Sequence, residues 1–135
     1  MRRGETAGLL VYVAGPYSGN TAERIERNVE AAVDAGIAVF QRGHFPYVPH
    51  LTHYVDLRAK KTGVTLEWED FIRWDLPWLE RCDALLYLAS SKGADLELRF
   101  AKKLGKRIFT SIEEVPIVEP GQQNRPHLTL RSVNR

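Results

Sequence analysis

Apolar residues along this chain come in two kinds of block, short unbroken runs and longer stretches where they recur every three or four positions. Leu9 to Ala14, LLVYVA, is a run of the first kind closed by Gly15 and Pro16, which predicts a central strand buried on both faces. Residues 21–43, TAERIERNVEAAVDAGIAVFQRG, are of the second kind. Ile25, Val29, Ala32 and Val33 share one helical face, Asn20 and Glu23 have capping-box spacing, and Gly43 marks the end. HFPYVPH predicts a short strand interrupted by Pro46 and Pro49 and finished near Val48, and residues 50–63 read as a loop or irregular helix.

Residues 65–82 predict a second helix, with Glu67, Glu69 and Asp70 in its opening turns where the helix dipole favours negative charge. ALLYLA, from Ala84 to Ala89, repeats the strand signature. A helix from Ala94 to near Gly105 follows, and KRIFTSI is a fourth strand candidate. Strands alternating with amphipathic helices imply the α/β class, a single domain with a doubly wound parallel sheet of four to five strands, Rossmann-like or flavodoxin-like. Ligands of such sheets bind beyond the carboxyl ends of the strands, here GPYSGN, VPHLTH and ASSKGADLE. That domain takes residues 1–115. Residues 116–135 form a Pro-rich polar arm in which HLTLRSV alternates like an edge strand, docked on the domain or on a neighbouring subunit.

Two carboxylates break the helical pattern. With about 100° per residue, Ala94, Leu96, Leu98, Phe100, Ala101 and Leu104 fill one arc and Glu97 falls in its middle, while Asp95, Arg99, Lys102 and Lys103 lie opposite. Asp75 is placed likewise among Trp68, Phe71, Ile72, Leu79 and Cys82. An isolated buried carboxylate costs several kcal/mol, so one shared site is the economical account of both. Each has an alternative. Asp75 is placed to cap a short final helix begun by Pro77, and Glu97 to sit in a first turn satisfied by backbone amides, Arg107 or another base.

Ser90, Ser91 and Gly93 between strand and helix suit a phosphate, and GPYSGN offers a similar cradle. The 19 basic and 17 acidic residues leave +2, which supports a small phosphorylated ligand rather than a nucleic-acid polymer. His44, His50 and His53 find no carboxylate at metal-site spacing, so no metal is expected. Tyr17, Tyr47 and the three tryptophans offer rings for stacking on a base, although Trp68 and Trp78 read as core. A single cysteine, Cys82, excludes an intrachain disulfide and reads as a packed thiol in a reducing compartment. MRRGETAG before a strand-length apolar run fits neither a signal peptide nor a membrane span, so a cytoplasmic protein without membrane contact is expected.

Three stretches, YVAGPYSG (12–19), DLPWLERCDALLYLA (75–89) and SKGADLELRFA (91–101), resemble the nucleoside 2-deoxyribosyltransferase superfamily, and within it the 2′-deoxynucleoside 5′-phosphate N-hydrolases. The resemblance covers most of the chain to about Phe109. It implies cleavage of the bond between base and sugar, with Glu97 as nucleophile, Asp75 as its partner, and Tyr12, Gly15, Pro16, Tyr17, Ser18, Gly19, His50, Ser91 and Gly93 around a nucleoside or nucleotide. One departure is Ser18, which stands where these hydrolases carry an arginine, with Lys92 a candidate substitute. Base exchange by a transferase and a non-catalytic nucleotide-binding module are the alternatives. The resemblance also implies a homodimer or larger homo-oligomer and no cofactor. In the mechanism it suggests, the helix dipole keeps Glu97 ionised while Asp75 is pushed towards its protonated form.

Overall fold

The first apolar run becomes β1 (Leu10–Ala14), whose Val11, Tyr12, Val13 and Ala14 have no exposed surface in the computed structural model, which describes residues 8–119. A strand covered on both faces has to lie inside its sheet. Four parallel strands run in the order β2-β1-β3-β4, with β2 at Phe45–Tyr47, β3 at Ala84–Tyr87 and β4 at Arg107–Phe109. Four helices flank them: α1 (Ala22–Gln41), α2 (Thr52–Lys61), α3 (Trp68–Arg81) and α4 (Lys92–Lys103). The architecture is the expected single-domain, Rossmann-like or flavodoxin-like α/β fold with four strands among the described residues.

The pleat of β1 divides the core. Leu9, Val11, Ala84, Leu86, Phe109 and Val115 pack with Val39 of α1 on one side, while Tyr12, Ala14 and Leu85 pack with Leu79 of α3 and Ala94 and Ala101 of α4 on the other. Both misplaced acids lie on that second side.

The helix boundaries differ from the pattern in ways the caps explain. Thr21, not Asn20, caps α1 by accepting the Arg24 N–H at 3.1 Å. Helix α3 begins at Trp68 rather than Thr65, because Glu67 and Asp70 form a reciprocal capping box in which Glu67 N–H donates to Asp70 Oδ2 at 2.9 Å. It then runs unbroken through Pro77, which removes one backbone hydrogen bond without ending it. Residues 50–63 are also more regular than expected, a 3₁₀ turn at Pro49–Leu51 followed by α2. Helix α2 buries none of its residues completely, so hydrophobic spacing carried no signal for it. Strand β2 ends at Tyr47 and tolerates Pro46 because among the described residues it is an edge strand, paired only with β1.

The start of the C-terminal arm is anchored at the end of α1. Val118 N–H donates to the Arg42 carbonyl at 2.8 Å, and Val115 and Val118 are buried. Gly43 makes this approach possible, since its φ is +95° and a Cβ there would meet the Val118 carbonyl oxygen at 2.0 Å. The expected edge strand HLTLRSV, residues 127–133, lies outside the described residues. Among those described, no helix is long and apolar enough to cross a membrane.

Candidate active site

Parallel pairing sets Tyr12 of β1 directly beside Tyr47 of β2, so both rings leave the same face of the sheet. They stack at 5.5 Å with 28° between planes, and Tyr47 stacks in turn on Trp78 at 5.7 Å and 14°. Each hydroxyl then holds one of the misplaced acids. Tyr12 Oη–H donates to Glu97 Oε2 of α4, and Tyr47 Oη–H donates to Asp75 Oδ1 of α3 at 3.2 Å. Glu97 is 6 % exposed and Asp75 5 %, which removes the alternative for Asp75 as an exposed cap. Glu97 lies beyond the first turn of α4, and its hydrogen bond comes from a strand rather than from its own helix.

Both acids line a single cavity of about 480 Å³. Helix α3 contributes Trp68, Phe71, Ile72 and Asp75, and the start of α4 contributes Lys92, Gly93, Ala94 and Glu97 after Ser91. Gly15, Tyr17 and Ser18 come from the loop behind β1, and Pro49, His50 and Thr52 from the segment after β2. These are the carboxyl ends of three strands, as the fold class requires.

Of the predicted contacts, Gly15, Tyr17, Ser18, His50, Ser91 and Gly93 therefore meet at this cavity with both acids. Three do not. Tyr12 is wholly buried beneath it and reaches the cavity only through Glu97. Pro16 and Gly19 line a second depression with Arg24, Arg27 and Asn28, which Ser18 borders as well. The tryptophan expectation is corrected too: Trp68 walls the cavity, and Trp78 is 52 % exposed, its ring spent on Tyr47 rather than on the core. Phe71, Ile72, Pro49, Thr52 and Ala94 went unrecognised. Phe71 and Ile72 lie on the same stripe as Asp75, and periodicity cannot tell a stripe that meets the core from one that meets a cavity.

Burial dominates the electrostatics. It pushes the Glu97 carboxyl up to about 8, with the nearby Asp75 charge adding to the rise and the Tyr12 hydrogen bond opposing it. Burial likewise pushes Asp75 up to about 7, opposed by Tyr47. The expected division, with Glu97 held ionised by the dipole, is thus overturned: Glu97 is in the second turn of α4, beyond the reach of the terminal amides, and desolvation wins. Both tyrosines are raised by burial and by the acids they serve, so they remain protonated donors.

The other lining groups are set by hydrogen bonds. His50 Nε2–H donates to the Gly15 and Pro16 carbonyls at 3.0 and 3.1 Å, and burial lowers its pKa, so the ring is neutral. Its buried Nδ1 has no partner among the described residues and presents a bare acceptor. Ser91 caps α4 by accepting the Ala94 N–H at 3.0 Å. Lys92 Nζ rests 4.2 Å from the centre of the Trp68 ring. Among the described residues no three His, Cys, Asp or Glu side chains converge as a metal site would require.

No curated protein matches this sequence. A family model described as Domain of unknown function (DUF7768) matches residues 9–111, a span that holds all four strands, all four helices and every residue of the cavity. The chain belongs to the DUF7768 family.

Proposed function

We propose that the protein is a cytoplasmic N-glycosidase that cleaves the bond between base and sugar in a nucleoside 5′-monophosphate or nucleoside, with Glu97 as nucleophile. The observation that carries this reading is the pair of acids drawn from two helices into one cavity, each held by a tyrosine from the sheet. Between pH 7 and 8 such a pair shares a proton that rests mainly on Glu97, and the reacting form is the one in which that proton has passed to Asp75 and left Glu97 ionised. A cavity of about 480 Å³ suits a nucleotide-sized ligand, Trp68, Phe71 and Ile72 give an apolar wall for a base, and the α4 N-terminus with Lys92 gives a cationic end for a phosphate. Resemblance of the three sequence stretches to the nucleoside 2-deoxyribosyltransferase superfamily points the same way.

The chemistry follows the retaining glycosidases, in which a carboxylate and a carboxylic acid about 5 Å apart divide the work. Ionised Glu97 attacks the anomeric carbon and the glycosidic bond breaks towards the base. Tyr12 steadies the attacking carboxylate by donating to it. Asp75, holding the shared proton, orients Glu97 or passes that proton on. Water then opens the glycosyl ester and regenerates Glu97; a second base in its place would make the protein a deoxyribosyltransferase.

The test is to incubate the protein with nucleosides and their 5′-monophosphates, with and without an acceptor base, and to follow free and exchanged base by chromatography. Free base that Glu97→Ala fails to release is the expected result. Ligand-induced stabilisation with no base released or exchanged from any member of the panel would reduce the protein to a binding module.

A further inference from the structure

The reaction proposed above needs a proton at the departing base, and a second set of titratable groups reaches the same cavity from α2 and α1. Tyr17 lines the cavity, and its hydroxyl lies 2.8 Å from His53 Nδ1. His53, on α2, turns its other nitrogen towards Glu26 of α1, with Nε2 3.7 Å from Oε2. The His53 side chain is 12 % exposed and that of Glu26 50 %, so the chain of contacts starts in the cavity and ends at solvent.

The surroundings suit transfer rather than storage of a proton. Asp56, one turn beyond His53 on α2, faces the cluster and pairs with Lys60 at 3.0 Å, and its buried Oδ1 has no hydrogen-bond partner among the described residues. Burial first, and the Asp56 charge second, hold the Tyr17 hydroxyl above its ordinary pKa. A tyrosinate is therefore disfavoured, and Tyr17 gives up a proton only as it receives another. Two further titratable rings touch the group: Tyr54 packs edge-on against His53 at 5.2 Å, and neutral His50 lies edge-on to Tyr17 at 6.3 Å and brings no charge.

We infer that Tyr17 is the acid that protonates the leaving base and that His53, steadied by Glu26, resupplies it; this rests on the N-glycosidase reading. As the C–N bond breaks, its electron pair goes to the base nitrogen, which takes the Tyr17 proton. Tyr17 oxygen takes the Nδ1 proton of His53, whose Nε2 takes one from solvent past Glu26. His53 is left neutral with Nε2–H towards Glu26, and Glu97 forms the new bond to the anomeric carbon. Asp75 is then free to position Glu97. Tyr17 is the catalytic residue of this chain of contacts, and His53 and Glu26 are positioning residues that act through it.

Leaving-group dependence tests the relay. Wild type, Tyr17→Phe, His53→Gln and Glu26→Gln are compared on a purine nucleoside 5′-monophosphate and on the 4-nitrophenyl glycoside of the same sugar phosphate, whose leaving group departs without a proton. Tyr17→Phe is expected to lose about 10²-fold to 10³-fold in kcat on the purine substrate, the range of general acid catalysis. Its rate on the nitrophenyl substrate stays within about threefold, which also shows that the variant is folded and its nucleophile intact. His53→Gln and Glu26→Gln follow the same split with smaller losses. Equal losses on both substrates, or none on either, overturn the relay and leave the glycosidase reading standing. A wild type that cleaves neither overturns the reading itself and the relay with it.

Discussion

The two faces of the sheet bury polar groups on opposite terms. On the α1 side the core is Leu9, Val11, Val39, Ala84, Leu86, Phe109 and Val115, and its buried histidine is fully engaged: His44 Nδ1 accepts the Leu9 N–H at 3.0 Å and Nε2–H donates to the Pro116 carbonyl at 2.6 Å. On the side of α3 and α4, His50 is almost as deeply buried, yet one nitrogen is left bare among the described residues, in a cavity it shares with two acids whose pKa values desolvation raises. A polar group that the protein satisfies completely adds definition to a core. One satisfied only in part keeps capacity for a ligand, and the cost of that capacity falls on stability.

The two faces should differ most at the acids. Glu97→Ala should lower base release by about 10⁴-fold or more, since a nucleophile has no substitute in a double displacement. Leu86→Ala on the opposite face should leave the turnover of folded protein unchanged.

Stability against pH separates the faces next. Glu97 and Asp75 have folded pKa values of about 8 and about 7 against ordinary values of 4.5 and 3.8. Raised values mean that their contribution is fully present below about pH 4 and is lost as pH rises to about 8, a loss on the order of several kcal/mol. Urea midpoints measured at pH 5 and pH 9 should fall accordingly, and Glu97→Gln should flatten the dependence. A wild-type midpoint that rose over this range would contradict the burial of the pair.

Leu86→Ala itself should cost about 2–5 kcal/mol in urea unfolding, the usual range for an aliphatic deletion in a packed core, with little change in the pH dependence.

The smallest effect concerns the tyrosines. The proposed reaction uses the singly protonated pair, so kcat/KM should be bell-shaped with its maximum between pH 7 and 8. Tyr12→Phe removes the hydrogen bond that holds Glu97 down, so the limb belonging to Glu97 should move to higher pH and the rate at pH 7 should fall by about tenfold. Tyr47→Phe should shift Asp75 in the same direction.

Much of the fold was legible because its strands are buried on both faces and its main helices on one. LLVYVA and ALLYLA became β1 and β3, and the stripes of α1, α3 and α4 fell where the spacing put them. Helix α2 was obscure because it has no buried stripe, and the start of α3 was misplaced because side chains at Glu67 and Asp70, not hydrophobic spacing, set it. Glu97 and Asp75 stood out for the opposite reason, as charged positions inside good apolar arcs.

Local pattern alone therefore determined the class of fold, the edge of the sheet where a ligand would lie, and the two acids that do not belong on buried faces, since each depends on periodicity over a few turns. Tertiary structure decided what those acids meet. The register that sets Tyr12 beside Tyr47, the exit of Trp78 from the core to back that stack, and the approach of His53 and Glu26 to Tyr17 all join residues distant in sequence. Strand pairing and helix packing across a sheet are non-local, and no window of the sequence contains both partners.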